Sequence, residues 1–256
     1  MNLLSADEYC RHKTAPPGSS FYYSILFYPE RLRRDLRALH AFGIELEEIL
    51  TECSDAGVMR MKLAWWQDEI ARLYQHAARH PVSLALENVL SRHDIQQHQL
   101  SQVVSKIEQL AVMSQPLPWE SLLMQLADGP GLVWQLAAEL CGYQEAETIT
   151  LAVDMGSLFA WFQTLQKPPL AGPVIALQTN SLDRPMHIRR IQERLEHHCT
   201  IFPMADRHRQ LHIFIMGHII SRTCQEILRK NQQGQRPALT PLRKLWMAWR
   251  LYRRYR

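Results

Sequence analysis

The sequence predicts an all-α protein. Three observations carry this. Glycine is scarce, with 10 residues in a chain of 256, and runs of β-branched residues are few. Leu, Ala, Gln, Glu and Arg dominate, and these are helix formers. Apolar residues recur at three- and four-residue spacing almost everywhere, the period of a helix with one buried face. The hydrophobic share of 46% suffices for a sizeable core. The length allows one large domain or two small ones. The most loop-like stretch is KPPLAGPVIALQTNSLDRP, residues 167–185. Nothing after it reads as self-sufficient, so the expectation is one domain over 1–256.

The elements follow in order. Leu32, Leu36, Leu39, Leu46 and Leu50 form one stripe that starts just after Pro29, a fitting first-turn proline. VMRMKLAWWQDEIARLYQHAARH, residues 58–80, reads as a long helix ending before Pro81. Residues 80–93 and 99–113 read as two more. PWESLLMQLADGPGLVWQLAAELCGY, residues 118–143, is two helical pieces broken at Gly129-Pro130. AETITLAVDMGSLFAWFQTLQK, residues 146–167, is apolar nearly all round and belongs at the centre; Pro168 and Pro169 end it. RHRQLHIFIMGHIISRTCQEILRKN, residues 207–231, is another long helix, and TPLRKLWMAWRLYRRYR closes the sequence. The sum is about ten helices.

Bulk properties exclude several function classes. A net charge of +4 is mild and gives no reason to expect nucleic-acid binding. Cys10, Cys53, Cys141, Cys199 and Cys224 are scattered with no CxxC, which argues for a reducing compartment and against a disulfide framework or zinc ribbon. The first residues carry acids where a signal peptide needs an apolar run. No apolar stretch is long enough to cross a bilayer. The expected location is the cytoplasm, with the inner membrane face as a peripheral contact.

Four stretches taken together resemble the bacterial squalene/phytoene synthase family: GSSFYYSILFYPERLRRDLRALHAF, KLAWWQDEIARLY followed by HPV, PGLVWQLAAELCGY, and TPLRKLWMAWR. Order and spacing match along essentially the whole chain. The resemblance implies the isoprenoid synthase fold, a single helical bundle around a deep central cavity. It also implies an ancestral reaction, in which two prenyl diphosphates join head to head through a cyclopropyl intermediate. In the family, two acidic motifs on facing helices hold magnesium, because a diphosphate leaves poorly until its charge is neutralised.

Residue by residue, that demand is not met. The first Asp of the family's Asp-x-x-x-Asp motif falls on Glu47, the second on Thr51, and the upstream arginine on Ile44. On a wheel of about 100° per residue, Leu39, Leu46 and Leu50 share the buried side. Glu45, Glu48 and Glu52 lie opposite and read as solvated. Glu47 lies on the flank with His40 and Thr51, so it alone is expected to face a cavity. In the second motif the Asn position holds Gln163, the arginine position Gln166, the first aspartate position Lys167, and the second falls near Ala171. No acidic residue occurs from Met155 through Leu182. Lys167 would repel a magnesium ion, though it can attract a phosphate directly. The family's catalytic tyrosine region falls near Met124 and Gln125, and Ser91 to Gly142 contains no tyrosine.

Other candidates are carried as alternatives. Ser19, Ser20, Tyr22 and Tyr23 occupy the family's SSFYYS-type segment. Ser19 and Ser20 would donate hydrogen bonds to a diphosphate, with Tyr22 beside them and with Arg34 and Arg37 adding charge. The bland alternative packs the aromatics at a pocket rim and leaves the arginines in water. Trp65, Trp66, Phe159, Trp161 and Phe162 line a prenyl cavity or are plain core. His208 and His212, one turn apart, are two metal-ligand types without a third, and His197-His198-Cys199 is a weaker cluster still. The closing helix is basic, amphipathic and aromatic. It lies on an anionic membrane, or it packs through Leu242, Leu245, Trp246 and Trp249. Packing is the expectation for Leu245 and Trp249, with Arg250 to Arg256 left for a membrane or an acidic partner.

Two functional readings follow from the resemblance. The first is a catalytically degenerate family member that binds a prenyl or other apolar ligand, or serves as an assembly or interaction factor near a membrane, with no cofactor. A mitochondrial complex I assembly factor that is similar to these synthases, and has also left their acidic motifs, is the precedent. The second is an active magnesium-dependent prenyltransferase of isoprenoid biosynthesis, using Glu47 with Glu48 or Glu52. A variant of it is a subunit working only beside an active paralogue.

Overall fold

The computed structural model describes residues 5–53, 55–112, 117–166, 184–230 and 239–256. Among the described residues there are twelve helices and no strand. They are α1 (Ala6–Thr14), α2 (Ser20–Ile25), α3 (Glu30–Glu52), α4 (Ala56–Tyr74), α5 (Pro81–Leu90), α6 (Gln97–Ala111), α7 (Trp119–Ala127), α8 (Pro130–Cys141), α9 (Glu147–Gln166), α10 (Arg184–Ile201), α11 (Leu211–Lys230) and α12 (Pro241–Tyr255). The starts are chemically marked. Ser5 and Glu8 form a capping box on α1, and Ser19, Asp55 and Thr240 cap α2, α4 and α12 through their side chains. Proline opens α5, α8 and α12 where its missing N–H costs nothing.

Two long helices organise the bundle. α3 packs against α1, α4, α5, α6 and α8. α9 packs against α7, α8, α10 and α11, and ten of its residues between Leu151 and Phe162 are buried. That is why its sequence is apolar all round. α8 lies between the two. It approaches α9 closely because Gly156 leaves room for Trp134: a Cβ at 156 would stand 2.5 Å from the indole. Gly217 does the same for α11, where a Cβ would stand 2.5 Å from Met155 Cε.

Three boundaries differ from expectation. α4 ends at Tyr74, six residues before His80. Glu69, buried on α4, accepts hydrogen bonds from the backbone N–H groups of Arg79 and His80, each at 2.7 Å, and from Arg72 Nε at 2.8 Å. The carboxylate folds the connection back onto the helix, and His76 turns the corner at φ 55°. α11 begins at Leu211, so His208 lies in the turns before it. The third difference is that α1, α2 and α10 are helices over stretches where the sequence predicts none. The break between α7 and α8 falls at Gly129, as the sequence predicts.

Candidate functional site

A cavity of about 410 Å³ opens between α1, α2, α3, α8, α9 and α11. Its α3 wall carries Gly43, Ile44, Glu47 and Glu48. The opposite wall carries Phe162 and Gln163 from α9 and Met216 and Ile220 from α11. Phe21, His40 and Trp134 make an aromatic side, and Lys13, Pro16, Ser19 and Ser20 also border the space.

Glu47 reaches this cavity as the helical wheel predicts. The expectation for Glu45 and Glu48 is corrected. They are not solvated, because α1 covers that flank of α3. Lys13 of α1 puts its ammonium 2.9 Å from Glu45 Oε1 and 2.5 Å from Glu48 Oε2. The Tyr9 hydroxyl donates to Glu45 Oε1 at 2.6 Å. Burial alone would lower the Lys13 pKa; the hydrogen bonds to Glu48 and Glu45 outweigh it, and the pKa lies above the ordinary lysine value. Tyr9 is pushed up to about 12, by burial first and by Glu45 second. Glu52 is exposed, as expected, and is not at the cavity wall. Thr51, at the second Asp position, turns its hydroxyl onto the Glu47 carbonyl at 3.2 Å.

The facing helix supplies no carboxylate to the cavity. Gln163 stands at its edge, exposed, and Gln166 lies outside the lining; Lys167 falls outside the described residues. Among the described residues the donor set for a magnesium ion is therefore one-sided. Glu47 and Glu48 come from a single helix, Glu48 already holds an ammonium, and amide, apolar and aromatic groups stand opposite. Magnesium needs near-octahedral oxygen ligation, and this arrangement does not fit it. Among the described residues no three His, Cys, Asp or Glu side chains are grouped to hold a metal.

The remaining candidates separate. Ser19 and Ser20 border the cavity, but the Ser19 hydroxyl is engaged as the cap of α2, accepting from the Tyr22 N–H at 3.0 Å. Tyr22 is half-buried against Tyr23, away from the lining. Arg34 and Arg37 sit at the outer end of α3 in an ion-pair network with Glu30, Arg37 at 3.0 Å, and do not face the cavity. Phe162 lines it. Phe159 is completely buried behind Trp134, their rings 4.8 Å apart, and is core. Trp66 packs on Phe42, Trp161 is fully buried, and Trp65 is on the surface of α4. His208 is exposed while His212 is buried, so the suspected pair is no pair. His197 and His198 likewise point apart, one exposed and one buried.

Sequence reasoning missed two things. Lys13 gave no signal, because its partners are 32 and 35 positions away and α1 itself was not read. The other is a buried neutral cluster. His40 and His212 flank the Trp134 indole at 4.4 and 5.8 Å, the second stacked parallel. Burial lowers the His40 pKa to about 3 and, with help from His40, holds His212 far below the ordinary range. Tyr28 anchors His212 by accepting from its backbone N–H at 3.1 Å while donating to the Arg209 carbonyl at 2.6 Å. The cavity is thus uncharged along its aromatic side and charged at the α1–α3 edge.

Comparison with known proteins agrees with this architecture. The squalene/phytoene synthase family model matches residues 14–167. A crystal structure of a dehydrosqualene synthase in complex with ligand superposes with a TM-score of 0.71 at 13% identity, covering 97% of this chain and 96% of that one. Squalene synthase HpnC from Alicyclobacillus acidocaldarius gives 0.60 at 16% identity, covering 91% and 95%. At such identities the likeness is one of fold, and the fold is that of the isoprenoid synthases, as the sequence predicts. Two curated relatives are the NADH dehydrogenase (ubiquinone) complex I assembly factor 6 of Bos taurus, 25% identical over 109 residues, and that of Homo sapiens, 25% identical over 103 residues. These alignments cover 42% and 40% of this chain, but only 33% and 31% of the relatives' own length.

Proposed function

The chain belongs to the squalene/phytoene synthase family, and on that premise we propose that it is a member without the condensation activity. It holds a prenyl or other apolar ligand in the cavity and works as an assembly or interaction factor near a membrane. One observation carries this reading: among the described residues the carboxylates at the cavity, Glu47 and Glu48, both come from α3, and Lys13 pairs with Glu48. The neutral aromatic side suits an apolar chain. The similarity to the complex I assembly factors supports an assembly role; the partner is open, since the match spans about a third of those proteins.

The test is calorimetric titration of the purified protein with farnesol and with farnesyl thiodiphosphate, with and without Mg²⁺. The expected result is binding of the prenyl chain that Mg²⁺ leaves unchanged. Binding that requires Mg²⁺, or squalene, phytoene or a cyclopropyl diphosphate formed from farnesyl or geranylgeranyl diphosphate, would overturn it. That outcome would favour the second reading, an active prenyltransferase, for which the placement of Glu47 and Glu48 at the cavity speaks; Glu47→Ala would then abolish turnover.

A further inference from the structure

α12 is fixed by one face and leaves the other bare. Ala248 and Leu251 are buried, Tyr252 stacks on Phe27 at 4.5 Å, and Tyr255 meets Phe214 edge-on at 5.4 Å. The opposite face carries Leu242, Leu245, Trp246 and Trp249, which are 77%, 37%, 55% and 48% exposed. Their spacing of three, four and seven aligns them in one stripe. This reverses the expectation that Leu245 and Trp249 pack the helix down. The physical reason is that the tyrosines and Ala248 supply the inner face, so the larger side chains have no neighbour to meet.

Charge completes the picture. α12 and its following residue hold Arg243, Lys244, Arg250, Arg253, Arg254 and Arg256 and no acid. Arg250 lies over the Trp246 ring at 5.4 Å and Arg253 over Trp249 at 5.8 Å. An exposed stripe of this kind marks an interaction surface. Tryptophans flanked by arginines match the lipid headgroup region, where the rings enter the acyl boundary and the guanidinium groups meet phosphates. No described helix is long and apolar enough to cross a membrane, which leaves attachment in the plane of the surface.

We propose that the outer face of α12 docks this protein on an anionic lipid bilayer, with Leu242, Leu245, Trp246 and Trp249 inserted and Arg250 and Arg253 on headgroup phosphates. The docking stands beside the cavity. On the inner side of α12, Lys244 donates to the Gly18 carbonyl at 3.0 Å, and Gly18 directly precedes the Ser19 and Ser20 that border the cavity. A bilayer on the outer face of α12 therefore lies one helix diameter, roughly 10 Å, from that border.

The experiment is cosedimentation of the full chain with vesicles of equal parts phosphatidylcholine and phosphatidylglycerol, and with pure phosphatidylcholine, following tryptophan emission in parallel. The expected result is binding and a blue shift with the anionic vesicles alone. Arg250→Gln with Arg253→Gln should weaken that binding about thirtyfold, at about 1 kcal/mol per basic residue. Trp246→Ser with Trp249→Ser should weaken it at least about tenfold and remove the blue shift. Met124→Ala, which removes an equally exposed side chain from α7, should change nothing. All three alter exposed side chains, and unchanged circular-dichroism melts confirm that each variant is folded. Equal binding to both vesicles, binding to neither, or arginine and tryptophan variants that bind like the parent overturn the proposal; binding to neither would assign the face to an acidic protein partner. Farnesol titration of the parent protein beside the vesicle assay separates the two claims: ligand binding without vesicle binding, or the reverse, identifies which one fails.

Discussion

The two long helices that wall the cavity present carboxylates to it in opposite ways. α3 keeps Glu47 and Glu48 at the cavity, and a lysine from α1 pairs with Glu48 and with Glu45 beside it. α9 keeps none there, and presents Phe162 and Gln163 instead. A divalent cation held between two helices needs both walls. The comparison teaches that the two walls differ from a two-sided carboxylate clamp in separate ways, α3 by the ion pairing of Glu48 and α9 by composition. The apolar volume between the walls does not depend on either change.

Experiments that break or sharpen this contrast can be ranked by size. The largest effect is expected from pH. His40 has a folded pKa of about 3 against an ordinary 6.5, because burial disfavours its charged form. A depressed histidine pKa contributes stability above 6.5 that is lost as pH falls toward 3, up to about 5 kcal/mol. Urea midpoints between pH 7 and 3.5 should fall steeply in the parent and less steeply in His40→Gln; parallel curves would remove His40 from the account.

Next comes the cavity's aromatic side. Trp134 touches Phe21, His40, Phe159 and His212, so Trp134→Ala should cost about 3–5 kcal/mol. A loss below about 1 kcal/mol in denaturant melts would mean that this side is loosely packed.

The charged wall should respond less. Lys13→Met strands Glu45 and Glu48 in a half-buried position, at a cost of about 2 kcal/mol, reduced from a fully buried pair by their residual exposure. The diagnostic readout is Mg²⁺: it should raise the melting temperature of Lys13→Met and leave the parent unmoved. A parent stabilised by Mg²⁺ would contradict the closed site. The smallest effect belongs to Gln163→Asp, an exposed position at the other wall, expected within about 0.5 kcal/mol of the parent. Combined with Lys13→Met, it should strengthen the Mg²⁺ response by adding a carboxylate from α9.

Much of this was legible before any coordinates. The apolar period placed α3, α9 and most other helices, the glycine-proline pair placed the break before α8, and the family resemblance carried the fold. The empty second motif could be read letter by letter. What misled was the helical wheel of α3. It assigns Glu45 and Glu48 to water because it knows only that helix, and α1 covers them. The same limit applied at α12, where the four-residue spacing favoured Leu245 and Trp249 as the packing face, while Ala248 and the tyrosines pack instead.

By itself, then, the sequence determined the helical architecture, the family, and the absence of carboxylates over the second motif, since each of these is local in the chain. The tertiary structure decided who neutralises the glutamates of α3 and which side of α12 meets water. Both depend on contacts between segments far apart in sequence, and a helical period states that a face must be covered without stating what covers it.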